Sequence, residues 1–342
     1  MIEKEFTRFF KDKVVLVTGG TGSIGSEIVR RLLKYPVKQV RVFSRDEHKQ
    51  FLLKRELQYL PLGKVTFLIG DVRDRDRVFL AMEGADIVFN AAAMKHVGLC
   101  ESNPFEAVKT NVLGVQNLVE AARSVDVEKF VHVSTDKAAM PVNVMGATKL
   151  LAEKITLSAE YYKGDHKTVF SAVRFGNVFG SRGSVAPIFH EQIKKGGPVT
   201  LTDGKMTRFM MRIPDAAELV LKAALMSKGG ELFILKMPVI KIKDLAKAMI
   251  EVLAPDFGHK PDNIKIDTIG KINGEKMYEL LMVEEELECL YENNEMYCLS
   301  RGKPHSDFIP TSNKYFRSDK CEVMGYELLI QFVKDHFSNA KY

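Results

Sequence analysis

The sequence predicts an α/β protein built on a doubly wound parallel sheet, and two observations carry that prediction. In the first half of the chain, short runs rich in β-branched and aromatic residues alternate with longer segments whose apolar residues recur at helical spacing. A glycine-rich turn follows the first run directly and opens a helical segment. Alternation of this kind is typical of parallel strands joined by crossover helices.

Six strands are predicted in order along the first half. They are KVVLVT (13–18), QVRVFS (39–44), VTFLIG (65–70), ADIVFN (85–90), KFVHVS (129–134) and TVFSAVRF (168–175). Helical spacing is clearest in SIGSEIVRRLLKY (23–35) and FEAVKTNVLGVQNLVEAARSV (105–125).

After Asn177 the pattern changes, because glycine-rich turns separate shorter elements. DAAELVLKAALM (215–226) predicts a helix that returns to the sheet, and residues from about 283 to 320 are irregular and charged. We therefore expect two domains. The cofactor-binding domain comprises residues 1–176 and about 210–238, and a smaller, discontinuous α/β substrate domain comprises about 177–209 and 239–342, with an irregular C-terminal segment.

Composition places the chain among ordinary globular proteins. Of its 342 residues, 46% are hydrophobic and 27% are charged, which argues against disorder. The net charge of +6 comes without a run of five basic residues, so nucleic-acid binding has little support. The basic excess indicates either a well-solvated surface or basic groups gathered around a phosphorylated ligand.

Cysteine usage and the absence of targeting patterns suggest a reducing compartment. Cys100, Cys289, Cys298 and Cys321 form no CxxC pair and have no nearby histidine partners, so we predict neither a metal site nor a disulfide framework. The first residues are charged, and no stretch approaches the roughly 20 apolar residues that span a bilayer. We expect a soluble cytoplasmic protein.

The turn VTGGTGSIGSEIVRRLL (17–33) predicts dinucleotide binding. Glycines after a strand allow a tight turn and close approach to a pyrophosphate, which the N–H groups of the following helix would bind. Strand-to-helix turns also use glycine structurally, but the strand, loop and helix context favours a Rossmann-type site. The candidate contacts are Gly19, Thr21, Gly22, Ser23, Ile24 and Gly25.

The end of the second strand bears on which dinucleotide binds. An acidic residue there would bind a ribose 2′-OH, whereas an arginine would accept a 2′-phosphate. Ser44 and Arg45 precede Asp46, which favours NADP over NAD unless Arg45 stacks on the adenine or faces water. Further cofactor contacts are expected after the third and fourth strands. These are Asp71, Val72, Ala91 and Ala92.

The stretch STDKAAMPVNVMGATK (134–149) joins a polar strand end to the start of a helix. An isolated Ser-Thr-Asp-Lys is usually a cap or turn, but its place after the fifth strand favours a functional role. In short-chain dehydrogenases, which this stretch resembles, a Tyr-x-x-x-Lys helix supplies a lysine that holds the nicotinamide ribose and lowers the pKa of the phenol from about 10. Lys149 matches that lysine, whereas Met145 stands where the tyrosine would be.

A more specific family resemblance covers about residues 10 to 282. STDKA, P.NVMGATK, AAAMKHV..CESNPFEAVKTNVLG, RFGNVFGSRGSVAPIF, MTRFMM and GEKMYELL together resemble the extended short-chain UDP-N-acetylglucosamine 4,6-dehydratases of bacterial surface-sugar and protein-glycosylation pathways. That resemblance implies a lyase that binds NADP tightly. Hydride leaves sugar C4 for the nicotinamide, water is eliminated across C5 and C6, and the hydride returns to C6, giving a UDP-2-acetamido-2,6-dideoxy-4-hexulose.

The resemblance also implies roles for the strand-end residues. Asp136 would protonate the departing C6 hydroxyl, Lys137 would remove the C5 proton, and Thr135 would hydrogen-bond the C4 oxygen. Desolvation beside other cations would lower the pKa of Lys137 and suit it to act as a base. Lys149 would anchor the ribose. Because Met145 cannot accept the C4-OH proton, our hypothesis is that Asp136 takes it, directly or through Thr135 or a water.

The missing phenol also bears on stereochemistry. Without it, one fewer acid could reprotonate C5 from the opposite face, and NVMGATK resembles the configuration-retaining branch of the family. We therefore favour retention at C5. The alternative is an inverting 4,6-dehydratase/5-epimerase, since soluble relatives are mostly inverting.

The resemblance places UDP-N-acetylglucosamine against residues from several segments. Lys95 would lie near the sugar, Asn177 near the sugar diphosphate, Arg208 at a phosphate and Glu275 at the uridine ribose. Many relatives have Arg-Pro before that glutamate, whereas this chain has Ile272-Asn273, which puts one nucleotide contact in doubt.

Three further readings remain open. The first is a related epimerase or reductase on the same substrate class. The second is a non-catalytic NADP-binding sensor, although such a sensor would not need Thr135, Asp136, Lys137 and Lys149. The third concerns assembly: extended members commonly pair through two helices, here 101–125 and 144–163, so a homodimer or a higher homo-oligomer is expected.

Overall fold

The computed structural model of the chain describes residues 2–59, 62–270, 274–311 and 316–339. All six predicted strands are present within two residues of their expected ends. They are β1 Val14–Thr18, β2 Gln39–Ser44, β3 Val65–Ile69, β4 Ile87–Asn90, β5 Lys129–Val133 and β6 Val169–Arg174. The helices up to β6 comprise the N-terminal α1 and those that lie between these strands. They are α1 Ile2–Phe9, α2 Ser23–Leu32, α3 Glu47–Glu56, α4 Arg75–Met82, α5 Val97–Ser102, α6 Pro104–Val108, α7 Gly114–Ser124 and α8 Val144–Tyr162.

The predicted helix over 105–125 is interrupted. A π-helical segment, Lys109–Leu113, joins α6 to α7. The Asn111 side chain bonds Met94 N and O and Thr148 Oγ1 inside this turn, so the wider backbone spacing places a buried amide between α8 and the loop after β4.

The second half of the chain contributes strands to more than one sheet. Its elements are β7 Asn177–Val178, α9 Val185–Lys194, β8 Val199–Leu201, β9 Thr207–Met211, α10 Ile213–Met226, β10 Leu232–Leu235, β11 Val239–Lys241, α11 Ile242–Leu253, β12 Ile266–Thr268, β13 Leu290–Glu292, β14 Met296–Leu299, β15 Ile309–Pro310 and α12 Tyr326–Asn339. The predicted helix over 215–226 is α10, and it packs against α2, β5 and β6.

The main sheet follows the order β15-β13-β14-β10-β6-β5-β4-β1-β2-β3. The run from β3 to β10 is parallel, and the order 3-2-1-4-5-6 within it is that of a Rossmann-type doubly wound sheet. One apolar cluster joins α1, α2 and α10 to one face, and a second joins α4, α7 and α8 to the other. The predicted fold class is therefore confirmed.

A smaller unit packs around its own apolar cluster, which includes Phe189, Met210, Leu245 and Leu329. It contains α9, α11, α12 and the short sheets β11-β9-β7 and β12-β8. Residues 290–310 differ from the expected division, because β14 pairs antiparallel with β10 and so extends the main sheet. Their assignment to the smaller domain was wrong; the rest of the domain division stays a prediction.

Across the residues that the structure describes, we find no helix both long and apolar enough to span a bilayer.

Candidate active site

The glycine-rich turn between β1 and α2 is held by close backbone contacts. Gly19 has φ +63°, and a Cβ there would lie 2.6 Å from the Ala91 carbonyl oxygen. A Cβ on Gly25 would lie 2.3 Å from the Gly19 oxygen. No side chain caps α2 at Gly22, so the first N–H groups of this helix remain available to an anion.

A cavity of about 260 Å³ opens beside this turn, at the carboxyl ends of β1 to β4. Nine of the predicted cofactor residues line it: Gly19, Thr21, Gly22, Ser44, Arg45, Asp71, Val72, Ala91 and Ala92. The other three loop residues do not. Gly25 packs on the turn, Ile24 packs against the core, and Ser23 Oγ accepts a hydrogen bond from Arg182 N.

The three polar residues at the end of β2, Ser44, Arg45 and Asp46, make different contacts. Ser44 is buried and its hydroxyl lies 2.8 Å from Thr21 Oγ1. Asp46 caps α3 by accepting from Lys49 N at 2.9 Å, and its other oxygen pairs with Lys49 Nζ. Arg45 is 56% exposed at the mouth of the cavity, 3.5 Å from Asp71. The acid here is thus occupied by its helix, whereas the arginine faces the cavity.

Arg182, in the loop after β7, also lines the cavity and was not predicted. Its backbone N–H donates to Ser23 Oγ, and its guanidinium donates to the Thr21 carbonyl. Arg182 therefore links the loop after β7 to the glycine turn. Its position one residue before a glycine in FGSRGS gave no local signal for this contact.

Residues 134–137 of the predicted catalytic stretch form a tight turn directly after β5. Thr135 Oγ1 donates to Asp136 Oδ1 at 3.0 Å and lies 3.4 Å from Lys137 N. Gly146, in the first turn of α8, brings that helix close, because a Cβ there would lie 2.5 Å from the Lys137 oxygen. The sequence neighbours Ser134 to Lys137 and the helix that carries Lys149 thus meet at one point.

Asp136 and Lys137 are paired at this turn. The Asp136 side chain is fully buried, and its Oδ1 accepts from Lys137 Nζ at 3.0 Å, whereas Oδ2 has no hydrogen-bond partner among the described residues. Lys137 Nζ also donates to Asn177 Oδ1 at 3.3 Å. An orphaned buried carboxylate oxygen is costly unless a ligand or water satisfies it, which fits a reactive group.

The pKa of Lys137 differs from the expected direction. Burial lowers this pKa, but the carboxylates of Asp136 and Glu279 more than offset burial, so the pKa is raised. The expectation of a lowered pKa was wrong, because it counted neighbouring cations and missed Glu279, whose Oε1 lies 3.4 Å from Lys137 Nζ. Lys137 is an ammonium in this arrangement.

Lys149 is held by a buried polar chain that begins at β1. Thr18 Oγ1 donates to Asn90 Oδ1, the Asn90 amide lies 3.0 Å from His132 Nδ1, and Lys149 Nζ lies 3.1 Å from His132 Nε2. Lys149 also donates to the Val133 carbonyl. Burial lowers the pKa of Lys149 to about 8, and burial followed by the Lys149 charge lowers that of His132 well below its usual range. His132 lies inside the predicted strand KFVHVS and was not singled out from the sequence.

Met145 lies one helical turn before Lys149 and is 4% exposed. It packs in a small apolar cluster with Cys100 and Ala107. The side chain at this position therefore contributes packing, with no group that could exchange a proton.

The four predicted substrate residues fall into two groups. Lys95 Nζ lies 3.5 Å from Ser181 Oγ, and its pKa is lowered by burial and by the charges of Arg182 and Lys137. The Asn177 side chain accepts a hydrogen bond from Lys137 Nζ, so Lys95 and Asn177 both lie beside the turn after β5.

Arg208 and Glu275 lie in the second group. Arg208 is buried and donates to the carbonyls of Thr207, Lys276 and Met277, so most of its N–H groups are already bonded within the protein. Glu275 is exposed on the neighbouring segment. The departure at Ile272 and Asn273 lies outside the described residues.

A buried ion cluster beneath the site was also unpredicted. Arg174, at the end of β6, donates to both oxygens of Glu153 on α8 and to both oxygens of Glu286. The Arg174 and Glu153 side chains are fully buried. This cluster ties the segment after residue 283 to the sheet and to the helix that carries Lys149.

Comparison with known proteins identifies the family. A family model described as "Polysaccharide biosynthesis protein" matches residues 15–301. The chain is 59% identical over 294 residues to an uncharacterized membrane protein of Methanocaldococcus jannaschii, covering 86% of this chain and 87% of that protein. It is 40% identical to the UDP-N-acetylglucosamine 4,6-dehydratase (inverting) of Campylobacter jejuni, covering 96% and 92%.

Two further similarities extend this result. A UDP-glucose 4-epimerase of Rickettsia typhi is 43% identical over 282 residues, covering 81% of this chain and 80% of that protein. The X-ray structure of Pen from Bacillus thuringiensis is 47% identical, with a TM-score of 0.88 over 96% of this chain and 98% of that one. The chain therefore belongs to the polysaccharide biosynthesis protein family, has the extended short-chain dehydrogenase/reductase fold, and is related to nucleotide-sugar dehydratases and epimerases.

Proposed function

We propose that this protein is a UDP-N-acetylglucosamine 4,6-dehydratase that uses NADP as an internal redox carrier. The observation that carries the proposal is the pairing of buried Asp136 with Lys137 at the end of β5, where an acid and an amine stand together. The Campylobacter jejuni relative, similar over 96% of the chain, supports the same activity. The related epimerases share the fold, but C4 epimerisation alone removes no C6 hydroxyl and has no use for this pair.

The cavity beside the glycine turn fits a dinucleotide. At Gly19 and Gly25 the neighbouring backbone comes so close that no side chain would fit. The uncapped start of α2 suits a pyrophosphate. When bound, the nicotinamide would accept hydride from sugar C4 and return it to C6. Lys149, fixed by His132 and the Val133 carbonyl, would hold the adjoining ribose.

The arrangement at the end of β2 supports NADP over NAD. Asp46 also lines the cavity, but it caps α3 and pairs with Lys49 Nζ, so a ribose 2′-OH would meet a carboxylate that already accepts two bonds. Arg45 and Lys49 both line the cavity and offer positive charge to a 2′-phosphate.

Cations also face the position of the sugar diphosphate. Burial and the charges of Arg182 and Lys137 lower the pKa of Lys95, and a diphosphate beside Lys95 would relieve that repulsion. We place Asn177 near the sugar diphosphate and Glu275 at the uridine ribose. The internal bonds of Arg208 suggest that it orders residues 276–279 as well as facing a phosphate.

The proton transfers follow from the groups present. Asp136 would take the C4-OH proton, through Thr135 or directly, and later deliver it to the departing C6 oxygen. Lys137 would first lose its own proton to solvent, then take the C5 proton as a neutral amine and later return a proton to C5. Met145 is buried among apolar side chains and offers no alternative acid, which favours return of the proton from the Lys137 face and retention at C5. Inversion is the second candidate, because the relative named as inverting covers nearly the whole chain.

One incubation tests the activity and the stereochemistry together. We expect UDP-N-acetylglucosamine in deuterated water to lose one water and to gain deuterium at C5, as read by mass spectrometry and proton NMR. The H5 couplings separate retained from inverted C5. Tight NADP binding with no loss of water from this substrate would contradict the proposal and favour another sugar nucleotide or a sensor.

We further propose that α6, α7 and α8 pair with a second copy. Phe105 is 79% exposed, and Val108, Leu113 and Leu151 are also exposed on these elements. Sedimentation velocity should give a dimer or a higher oligomer; a monomer at micromolar concentration would refute this assembly.

A further inference from the structure

Glu279 is a buried carboxylate to which the proposed reaction assigns no role. Its side chain is 3% exposed, and its Oε2 has no hydrogen-bond partner among the described residues. Burying an ionised carboxylate is costly unless charges or hydrogen bonds compensate. Its surroundings therefore indicate what it does.

Three cations surround the Glu279 carboxylate. Lys137 Nζ lies 3.4 Å from Oε1, Arg208 Nε lies 3.8 Å from Oε1, and Lys276 Nζ lies 3.9 Å from Oε2. Lys137 is the closest of the three, and it is also the group that must change its protonation state in the proposed reaction.

The other two cations are held without Glu279. Arg208 donates to three backbone carbonyls, and Lys276 Nζ donates to the carbonyls of Ala139 and Met140. The Glu279 backbone is fixed separately, because its N–H donates to Ser318 Oγ and its carbonyl accepts from Ser318 N. The local fold thus has its own supports, and the carboxylate is free for another role.

Resting on the dehydratase function proposed above, we propose that Glu279 is a positioning residue that acts through Lys137. Its carboxylate holds the Lys137 amine beside Asp136 and Asn177 and controls when that amine releases its proton. The cations Arg208, Lys276 and Lys95 face the same amine and oppose its charge, whereas Asp136 and Glu279 support it. Glu279→Gln removes one of the two supporting carboxylates and leaves the opposing cations in place.

The experiment measures the protonation of Lys137 directly. The wild type, Glu279→Gln and Glu279→Asp are labelled with acetic anhydride across a pH series, and acetylation of Lys137 is quantified by peptide mass spectrometry. We expect the half-labelling pH to fall by about one to three units in Glu279→Gln, because an opposite charge within a few ångströms is lost. Glu284→Gln, an exposed change nearby, is the control and should leave it unchanged. An unmoved half-labelling pH in Glu279→Gln overturns the inference.

Turnover supplies an independent readout. In the UDP-N-acetylglucosamine assay, the limb of kcat/KM that rises with pH should move down by the same interval in Glu279→Gln, whereas a merely structural defect would lower the whole profile without moving it. If the wild type does not dehydrate this substrate, the proposed function fails, while labelling still tests Glu279. Should Glu279→Gln not fold, Glu279→Asp serves: a fall in kcat with the limb in place supports positioning, and an unchanged kcat overturns it.

Discussion

The two sides of the active cleft are built in different ways. The cofactor side is formed by short turns at the ends of neighbouring strands, and Gly19 packs directly on Ala91 at the end of β4. The reactive side depends on side chains far apart in the chain: Arg174 joins Glu286 across 112 residues, and Asn143 joins Gly274 across 131. Backbone packing, with one long-range contact from Arg182, fixes the first side, whereas ion pairs and hydrogen bonds from an amide side chain fix the second.

This difference predicts different responses to substitution. On the cofactor side the protein presents N–H groups and cations, and losing one contact should weaken binding without disturbing the chemistry. On the reactive side each charged group sets the state of the next one, so a single loss should affect turnover or folding strongly.

The largest effect is expected from Asp136→Asn. The amide cannot carry a proton from the C4 hydroxyl to the C6 oxygen, so kcat should fall by roughly 10²–10⁴. NADP affinity, measured by fluorescence titration, should stay within about twofold because Asp136 does not line the dinucleotide cavity. Asp256→Asn, an exposed change, is the control. Near-normal turnover in Asp136→Asn would remove Asp136 from the proton path, and a parallel loss of NADP binding would show that the two sides are not independent.

The next effect is on folding, through Arg174→Met. Removing the guanidinium leaves Glu153 as an uncompensated buried carboxylate and Glu286, which is 15% exposed, without its partner, so the free energy of unfolding should drop by about 3–5 kcal/mol. Urea denaturation measures the loss, with exposed Arg8→Met as the control. A change below about 1 kcal/mol would mean that the cluster is solvated and does not anchor the segment after residue 283.

What the sequence could predict follows the same division. The strands and the glycine turn were predictable because hydrophobic periodicity and turn chemistry are local signals. The same holds for the places of Ser44, Arg45 and residues 134–137 at the ends of recognisable strands, whereas their roles stay predictions. The sequence analysis did not single out Glu279, although it lies inside GEKMYELL. Nothing in the local sequence distinguishes it from other glutamates, and only its distance to Lys137 in the fold does so.

The segment after residue 283 illustrates the limit further. Its charge suggested an irregular tail, yet β13 and β14 form antiparallel strands on the edge of the main sheet. These strands have three and four residues, too short for a clear period, and their pairing with β10 is set by tertiary contacts. The buried Arg174 and His132 were likewise hidden, since each lies in a strand that reads as apolar core.

A smaller effect concerns pH and Lys149. With a pKa of about 8 in the folded protein, Lys149 loses its charge as pH rises through that value, so NADP affinity that needs the cation should decline several-fold between about pH 7 and 9. Lys149→Arg keeps the charge, so this decline should disappear even if kcat is lower.

Stability separates that decline from unfolding. The folded-state pKa of Lys149 lies below its unfolded value of 10.5, so the cost of burying the cation is present below about pH 8 and is relieved as pH rises toward 10.5. The Lys149 contribution to the free energy of unfolding should therefore increase over the range where NADP affinity falls. If affinity and stability fell together, the decline would be due to denaturation instead.

The smallest effect is expected at Arg45, on the cofactor side. Asp71 keeps its bonds to Arg73 at 2.7 and 2.9 Å, so Arg45→Ala should leave the cavity wall in place. Because Arg45 is more than half exposed, its contact with a 2′-phosphate should be worth about two- to fivefold in NADP affinity. NAD affinity should be unchanged, as should both affinities in Arg55→Ala on α3. Equal losses for NADP and NAD would mean that Arg45 stacks on the adenine that both cofactors share, and the preference for NADP would then have to come from Ser44 or Lys49.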